Sequence, residues 1–207
     1  MGLSKQARHA CRFGMLAVLL LVPGALFAQS KSYDGIWWQS RTSPELEGFI
    51  FGYGDCYADP AGQRIRMSLD DADTRLAVSV FYQSHQKNLS RPAAHVLKDV
   101  WAGHIPVHNA MRPAPGEGWR ERHGYFDGTW WKGSSNAEQL GFVEGYMSCH
   151  NSELRNAKPL SLEPDKYVEM LSAWYAPSDE TAAAQHQAEK IADVFQRLNS
   201  PARSARR

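Results

Sequence analysis

The side chains able to do chemistry in this chain are few, and their spacing narrows what they can do. It has eight histidines. His104 and His108 are four apart, but Pro106 lies between them and breaks any shared helical face. His85, His95, His123, His150 and His186 have no histidine partner at ligand spacing, and no HExxH is present. No metal or other cofactor is therefore expected. Asp34 and Asp127 each precede a glycine. They read as turn formers, or as carboxylates that face each other so that one pKa rises. Glu45 and Glu138 stand three residues after Thr42 and Ser135, the spacing of a helix capping box. No Gly-x-Ser-x-Gly elbow occurs, and no Gly-Lys-Ser/Thr follows the glycines. No catalytic residue is assigned, and an envelope hydrolase is the least supported reading.

Cys56 and Cys149 belong to a longer pattern. "DGIWWQSRTSPELEGFIFGYGDC" (34–56) returns as "DGTWWKGSSNAEQLGFVEGYMSC" (127–149), 93 residues on and without a gap. The identities are Asp34/Asp127, Gly35/Gly128, Trp37/Trp130, Trp38/Trp131, Glu45/Glu138, Gly48/Gly141, Phe49/Phe142, Gly52/Gly145, Tyr53/Tyr146 and Cys56/Cys149. Further on, Ser68, Leu69 and Tyr82 match Ser161, Leu162 and Tyr175, and after one inserted residue 94–101 lies over 188–195. Self-similarity at a fixed offset marks a repeat. The expected organisation is a signal peptide (1–28), repeat one (29–104), a Pro/Gly-rich linker (105–124), repeat two (125–199) and a basic disordered tail (200–207).

The leader follows from Lys5, Arg8 and Arg12, the apolar run 15–21, and Ala28 before Gln29. The apolar stretch, about 15 residues, is too short to span a bilayer, and Cys11 precedes it, which is not a lipoprotein pattern. Cleavage after Ala28 removes three of the 23 basic residues and none of the 22 acidic ones, leaving 20 − 22 = −2. That charge excludes the basic face of a nucleic-acid binder. The expected location is periplasmic or secreted, with no transmembrane anchor after cleavage.

Within each repeat the elements that hold these residues read as helices. In 43–57, Phe49, Ile50 and Tyr53 make one apolar stripe, as do Phe142, Val143 and Tyr146. Gly48, Gly52 and Cys56 are spaced i, i+4, i+8 on a neighbouring narrow face, and Gly141, Gly145 and Cys149 repeat this. Glycine inside a helix costs about 0.5–1 kcal/mol relative to alanine, so paired glycines imply close approach of another helix. A second helix is expected at 71–84 and 164–176, with Leu76, Val80, Phe81 or Val168, Leu171, Trp174 inward. A third is expected at 91–102 and 179–199. The fold class is all-α, a tandem duplication of a three-helix module packed as a pseudo-twofold pair along the glycine faces. In that arrangement Cys56 and Cys149 meet near the axis as a disulfide. The alternative is two buried, unpaired thiols.

The segments "LEGFIFGYGDC" (46–56), "AVSVFYQSH" (77–85) and "SRPAAHVLKDVW" (90–101) resemble the Rap/Tai immunity proteins of bacterial type VI secretion. The resemblance implies a helical, periplasmic, non-enzymatic protein that blocks a cell-wall-cutting effector. The differences between repeats suggest where a partner sits. Phe51 corresponds to Glu144, a position expected to face solvent, so Phe51 beside Gly54 and Asp55 is expected as an exposed contact. Trp38 and Trp131 either join it, as platforms for a peptide or a glycan, or pack in the core. The expected partner is a protein of the cell envelope, with a carbohydrate- or peptidoglycan-binding module as the alternative.

Overall fold

The computed structural model describes residues 33–58, 69–105, 118–154 and 156–200. The leader expected at 1–28 and the tail beyond Ser200 lie outside the described residues. Among the described residues every regular element is helical, and an isolated antiparallel bridge joins Asp127 to Lys190. None of the described helices is long and apolar enough to cross a membrane.

Two short helices open the two halves, α1 (Gly35–Gln39) and α6 (Gly128–Gly133). Asp34 accepts hydrogen bonds from the backbone N–H groups of Ile36 and Trp37, and Asp127 from those of Thr129 and Trp130. The Asp-Gly pairs are thus helix starts. Such caps are worth about 1 kcal/mol each. The glycines leave room for a ring: a Cβ on Gly35 would lie 2.7 Å from Tyr82 Cε1 and closer still to Cδ1, and one on Gly128 would meet the same two atoms of Tyr175 in the same way.

The long helices α2 (Ser43–Ala58) and α7 (Asn136–Glu153) form the centre. Ser135 and Glu138 close a full capping box on α7, and Glu45 accepts from the Thr42 backbone N–H at 2.8 Å on α2. The two helices touch through their glycines, backbone against backbone. A Cβ on Gly48 would lie 2.9 Å from the Phe142 nitrogen and closer still to the Glu138 carbonyl oxygen, and one on Gly141 would be 2.8 Å from the Glu45 carbonyl carbon. A Cβ on Gly52 would be 2.7 Å from the Phe142 carbonyl carbon, and one on Gly145 would be 2.9 Å from the Phe49 carbonyl carbon. Each contact therefore has its converse 93 residues away.

Around this pair lie α3 (Asp71–Ser84), a 3-10 turn (Gln86–Ser90), α4 (Ala93–Trp101), α5 (Trp119–His123), α8 (Pro164–Tyr175), α9 (Glu180–Gln187) and α10 (Ile191–Asn199). Three expectations change here. The inward face of α3 is Thr74, Ala77, Val78 and Tyr82, while Leu76 and Val80 are exposed. The expected helix 179–199 is two helices, broken at Lys190 in extended conformation. The alignment of 94–101 over 188–195 also shifts. Ala93 donates its N–H to the Tyr33 carbonyl and Ile191 to that of Phe126. The Tyr82 hydroxyl donates to the Arg91 carbonyl and that of Tyr175 to Glu189. Both sets of contacts pair positions 98 apart (191 − 93 and 189 − 91), five more than the offset of the first helices. The additional residues fall in α9, which stands where the N-terminal half has its 3-10 turn.

At that shifted offset an ion pair recurs with its charges exchanged. Arg91 pairs with Asp99 in the N-terminal half, and Glu189 with Arg197 at 3.0 Å in the C-terminal half. In both, the arginine lies over an aromatic ring, Arg91 over Phe81 at 5.5 Å and Arg197 over Trp174 at 5.0 Å.

The stretch read as a linker ends in structure of its own. Trp119 of α5 is buried, with its ring laid on Gly54 of α2, where a side chain would collide with it.

Candidate functional site

Cys56 and Cys149 form a disulfide with their Cα atoms 6.1 Å apart, one turn beyond Gly52 and Gly145 on the α2–α7 seam. Both are buried.

Trp38 and Trp131 are 1% and 2% exposed, which corrects the expectation that they contact a partner. The Trp38 indole N–H donates to Ser79 Oγ at 3.0 Å, and that of Trp131 to Ser172 Oγ at 3.1 Å. Each bond gives the buried indole donor a partner in place of water. The signal was in the sequence: Ser79 and Ser172 also stand 93 apart. Trp37 is buried too, against Tyr33 and Phe49 with Arg41 above it at 5.3 Å. Trp130 is half-buried on Phe126 and Phe142.

Phe51 is half-buried, packed on His123, Phe126 and Trp130 with ring centroids 5.3–6.3 Å away. Glu144 is fully buried, with Arg41 Nη2 at 3.7 Å. Both observations correct the expectation of a solvent-facing position. Helix α2 turns residue 51 toward the entry segment of the other half, and α7 turns residue 144 toward Tyr33 and Arg41. The change from phenylalanine to glutamate therefore reports different neighbours, not exposure. Burial raises the Tyr33 pKa above the ordinary phenol value, and the Glu144 charge adds to the shift.

Asp55 is also buried, correcting its assignment as a contact. The Arg120 guanidinium bonds its carboxylate and its backbone carbonyl, and a second carbonyl at Gly124. Arg120 thereby pins α5 to α2. It was missed because α5 was read as linker.

Other titratable groups likewise tie element to element. His123 Nε2 lies 3.3 Å from Asp71 Oδ1, joining α5 to α3. Lys98 of α4 donates to Glu153 of α7 at 2.7 Å, and the Tyr53 hydroxyl donates to the same oxygen at 3.1 Å. Burial works to raise the Glu153 pKa, but the Lys98 hydrogen bond and charge, with Tyr53, outweigh it and hold it below the ordinary value. Among the described residues no three metal-ligating side chains converge.

His150 stands where α2 has Tyr57, stacked on Tyr146 as Tyr57 is on Tyr53. It is buried, its Nδ1 has no hydrogen-bond partner, and burial lowers its pKa. The unfolded chain therefore takes up this proton first as pH falls. Stability from this residue is complete above about pH 6.5, the free-histidine value, and is lost as pH falls toward the lower folded value. His150→Tyr is expected to reduce the difference in urea midpoint between pH 7.5 and pH 5. An unchanged difference would remove His150 as its source.

One surface feature is left unexplained by packing. Ile36, Leu76 and Val80 are 66%, 54% and 53% exposed. Ala72, Leu76 and Val80 are spaced i, i+4, i+8 on α3, all on its exposed side. The positions 93 residues on hold Thr129 for Ile36, and Asp165, Glu169 and Ala173 for the α3 strip. The N-terminal half thus exposes aliphatic side chains where the C-terminal half has polar or smaller ones. Compared with known proteins, the chain matches no family model, no curated protein and no solved structure.

Proposed function

We propose that this chain is a duplicated helical unit, exported to the periplasm, that binds another protein without acting on it chemically, as an immunity or inhibitor protein does. The duplication and a pseudo-twofold axis are supported by the converse glycine contacts, the recurring indole–serine bonds and the exchanged ion pair. The location is supported by the leader-like N-terminus and by a disulfide, which persists in oxidising compartments. The observation that carries the binding role is the exposed aliphatic strip of α3, present in one half and absent from the other. A glycan-binding reading needs the tryptophan pairs as platforms, and Trp38 and Trp131 are in the core.

The test is expression of the full chain in a bacterial host whose periplasm receives peptidoglycan-cleaving type VI effectors one at a time. The chain is expected in the periplasmic fraction, starting at Gln29, and is expected to delay lysis by one of them through a stable complex. Retention of the leader in the cytoplasm, or unaltered lysis across the panel, would count against it.

A further inference from the structure

We propose that the α3 strip Ala72–Leu76–Val80 is the docking face itself, and that it takes an amphipathic segment of a partner protein bearing a basic residue at one end of its apolar ridge. This rests on the protein-binding reading above. Ala72 to Val80 spans eight residue steps, about 12 Å of helix, which suits the i, i+3/i+4, i+7 anchors of a helical segment. The strip is not displaced core, because α3 already buries Thr74, Ala77, Val78 and Tyr82 on its other side. Singly exposed aliphatics are ordinary. A run of three along one helix is not, and Ile36 is exposed on α1, which lies along α3 through the Trp38–Ser79 bond next to Val80.

Charge decides the kind of partner. The first turn of α3 is acidic, with Asp70, Asp71 and Asp73, and its last turn has no basic residue. Asp70 caps the Asp73 N–H, and Asp71 faces His123. Asp73 is three residues before Leu76, on the neighbouring face of the helix. A lysine or arginine flanking the partner's apolar ridge complements this end. The one cation of α3, Arg75, is engaged by Glu47 and Ser43 of α2, so a second copy of the chain brings the same acids and no uncommitted cation on α3, and an anionic membrane surface is repelled.

Two fluorescent amphipathic helical peptides of one leucine pattern, with lysine or glutamate as the polar residue, serve as probes against the mature, oxidised chain at 0.15 M salt. Fluorescence anisotropy is expected to show binding of the Leu/Lys peptide and at least tenfold weaker binding of the Leu/Glu peptide. Leu76→Glu with Val80→Ala, the residues found 93 positions on, is expected to weaken Leu/Lys binding at least tenfold with an unchanged thermal midpoint. Asp73→Asn is expected to weaken it severalfold. Equal binding by the double variant, no preference for the Leu/Lys peptide, or no binding of either peptide overturns the proposal. So does self-association in sedimentation that the double variant abolishes, or binding to phosphatidylglycerol vesicles. A double variant that still delays lysis by the effector that the wild type blocks removes this face while leaving the protein-binding reading intact.

Discussion

Gly52→Ala is expected to destabilise the fold by about 3 kcal/mol, the upper range for overpacking a tight site. Two effects oppose each other. Alanine favours a helix over glycine by about 1 kcal/mol, but its methyl would meet the Phe142 backbone across the seam. A carbonyl group in the middle of α7 cannot rotate away, so the two helices have to part. Parting them loosens the buried Phe49 and Phe142 that flank the contact. The clash therefore outweighs the propensity gain. Gly133→Ala is the control. Beyond the adjoining backbone nothing lies within 4 Å of a Cβ there, so alanine is expected to be neutral or slightly stabilising. Urea unfolding of both variants checks this. A Gly52 variant as stable as the Gly133 variant would mean that α2 and α7 are not in backbone contact.

Removing the disulfide is expected to cost a similar amount, on the order of 4 kcal/mol for a crosslink that closes so long a loop. The bridged cysteines are separated by 93 residues. Cys56→Ser with Cys149→Ser should lower the urea midpoint by the corresponding amount, and reductant should then make no further difference. In the wild-type chain both sulfurs are buried, so reductant is expected to act only after the seam opens. Because the bridge and the glycines hold the same two helices, the Gly52 and cysteine changes are not expected to add. A double serine variant that unfolds with the oxidised wild type would show that the bridge is absent from the mature protein.

The central pair of helices was legible because backbone contact demands small residues at a fixed spacing, and the chain states that spacing twice, at Gly48, Gly52 and Cys56 and again at Gly141, Gly145 and Cys149. The disulfide followed from the same geometry. The surface was less legible. From Leu76 to Tyr82, α3 is apolar nearly all round, so the 3.6-residue period did not separate its faces. The aligned Glu169 carried the missing information, since a charge there marks the outward side. At Phe51 the same comparison misled. Residues 51 and 144 sit on a seam whose two sides have different neighbours, so a difference in polarity reflected His123, Phe126 and Trp130 on one side and Tyr33 and Arg41 on the other. Helix α5 was hidden by the prolines and glycines that precede it, although Gly54, which stands where α7 has Met147, marks the place its Trp119 occupies.

The exchanged ion pair bears on the order in which mutations accumulated. If both halves descend from one ancestral segment, converting Arg91–Asp99 into Glu189–Arg197 takes changes at two positions. Direct replacement, one position at a time, passes through an ancestor with two acids or two bases facing each other. Side-chain exposures of 26–53% put both pairs within reach of water. At such sites screening keeps the pair's contribution within about 1 kcal/mol, so a like-charge ancestor would have lost little stability and persisted long enough for the second change. A corresponding exchange at the buried Asp55–Arg120 pair would have no such passage, because leaving one buried charge unmatched costs several kcal/mol. On that descent, the solvent-exposed rim is where two halves would be free to drift apart in lineage time, one charge at a time.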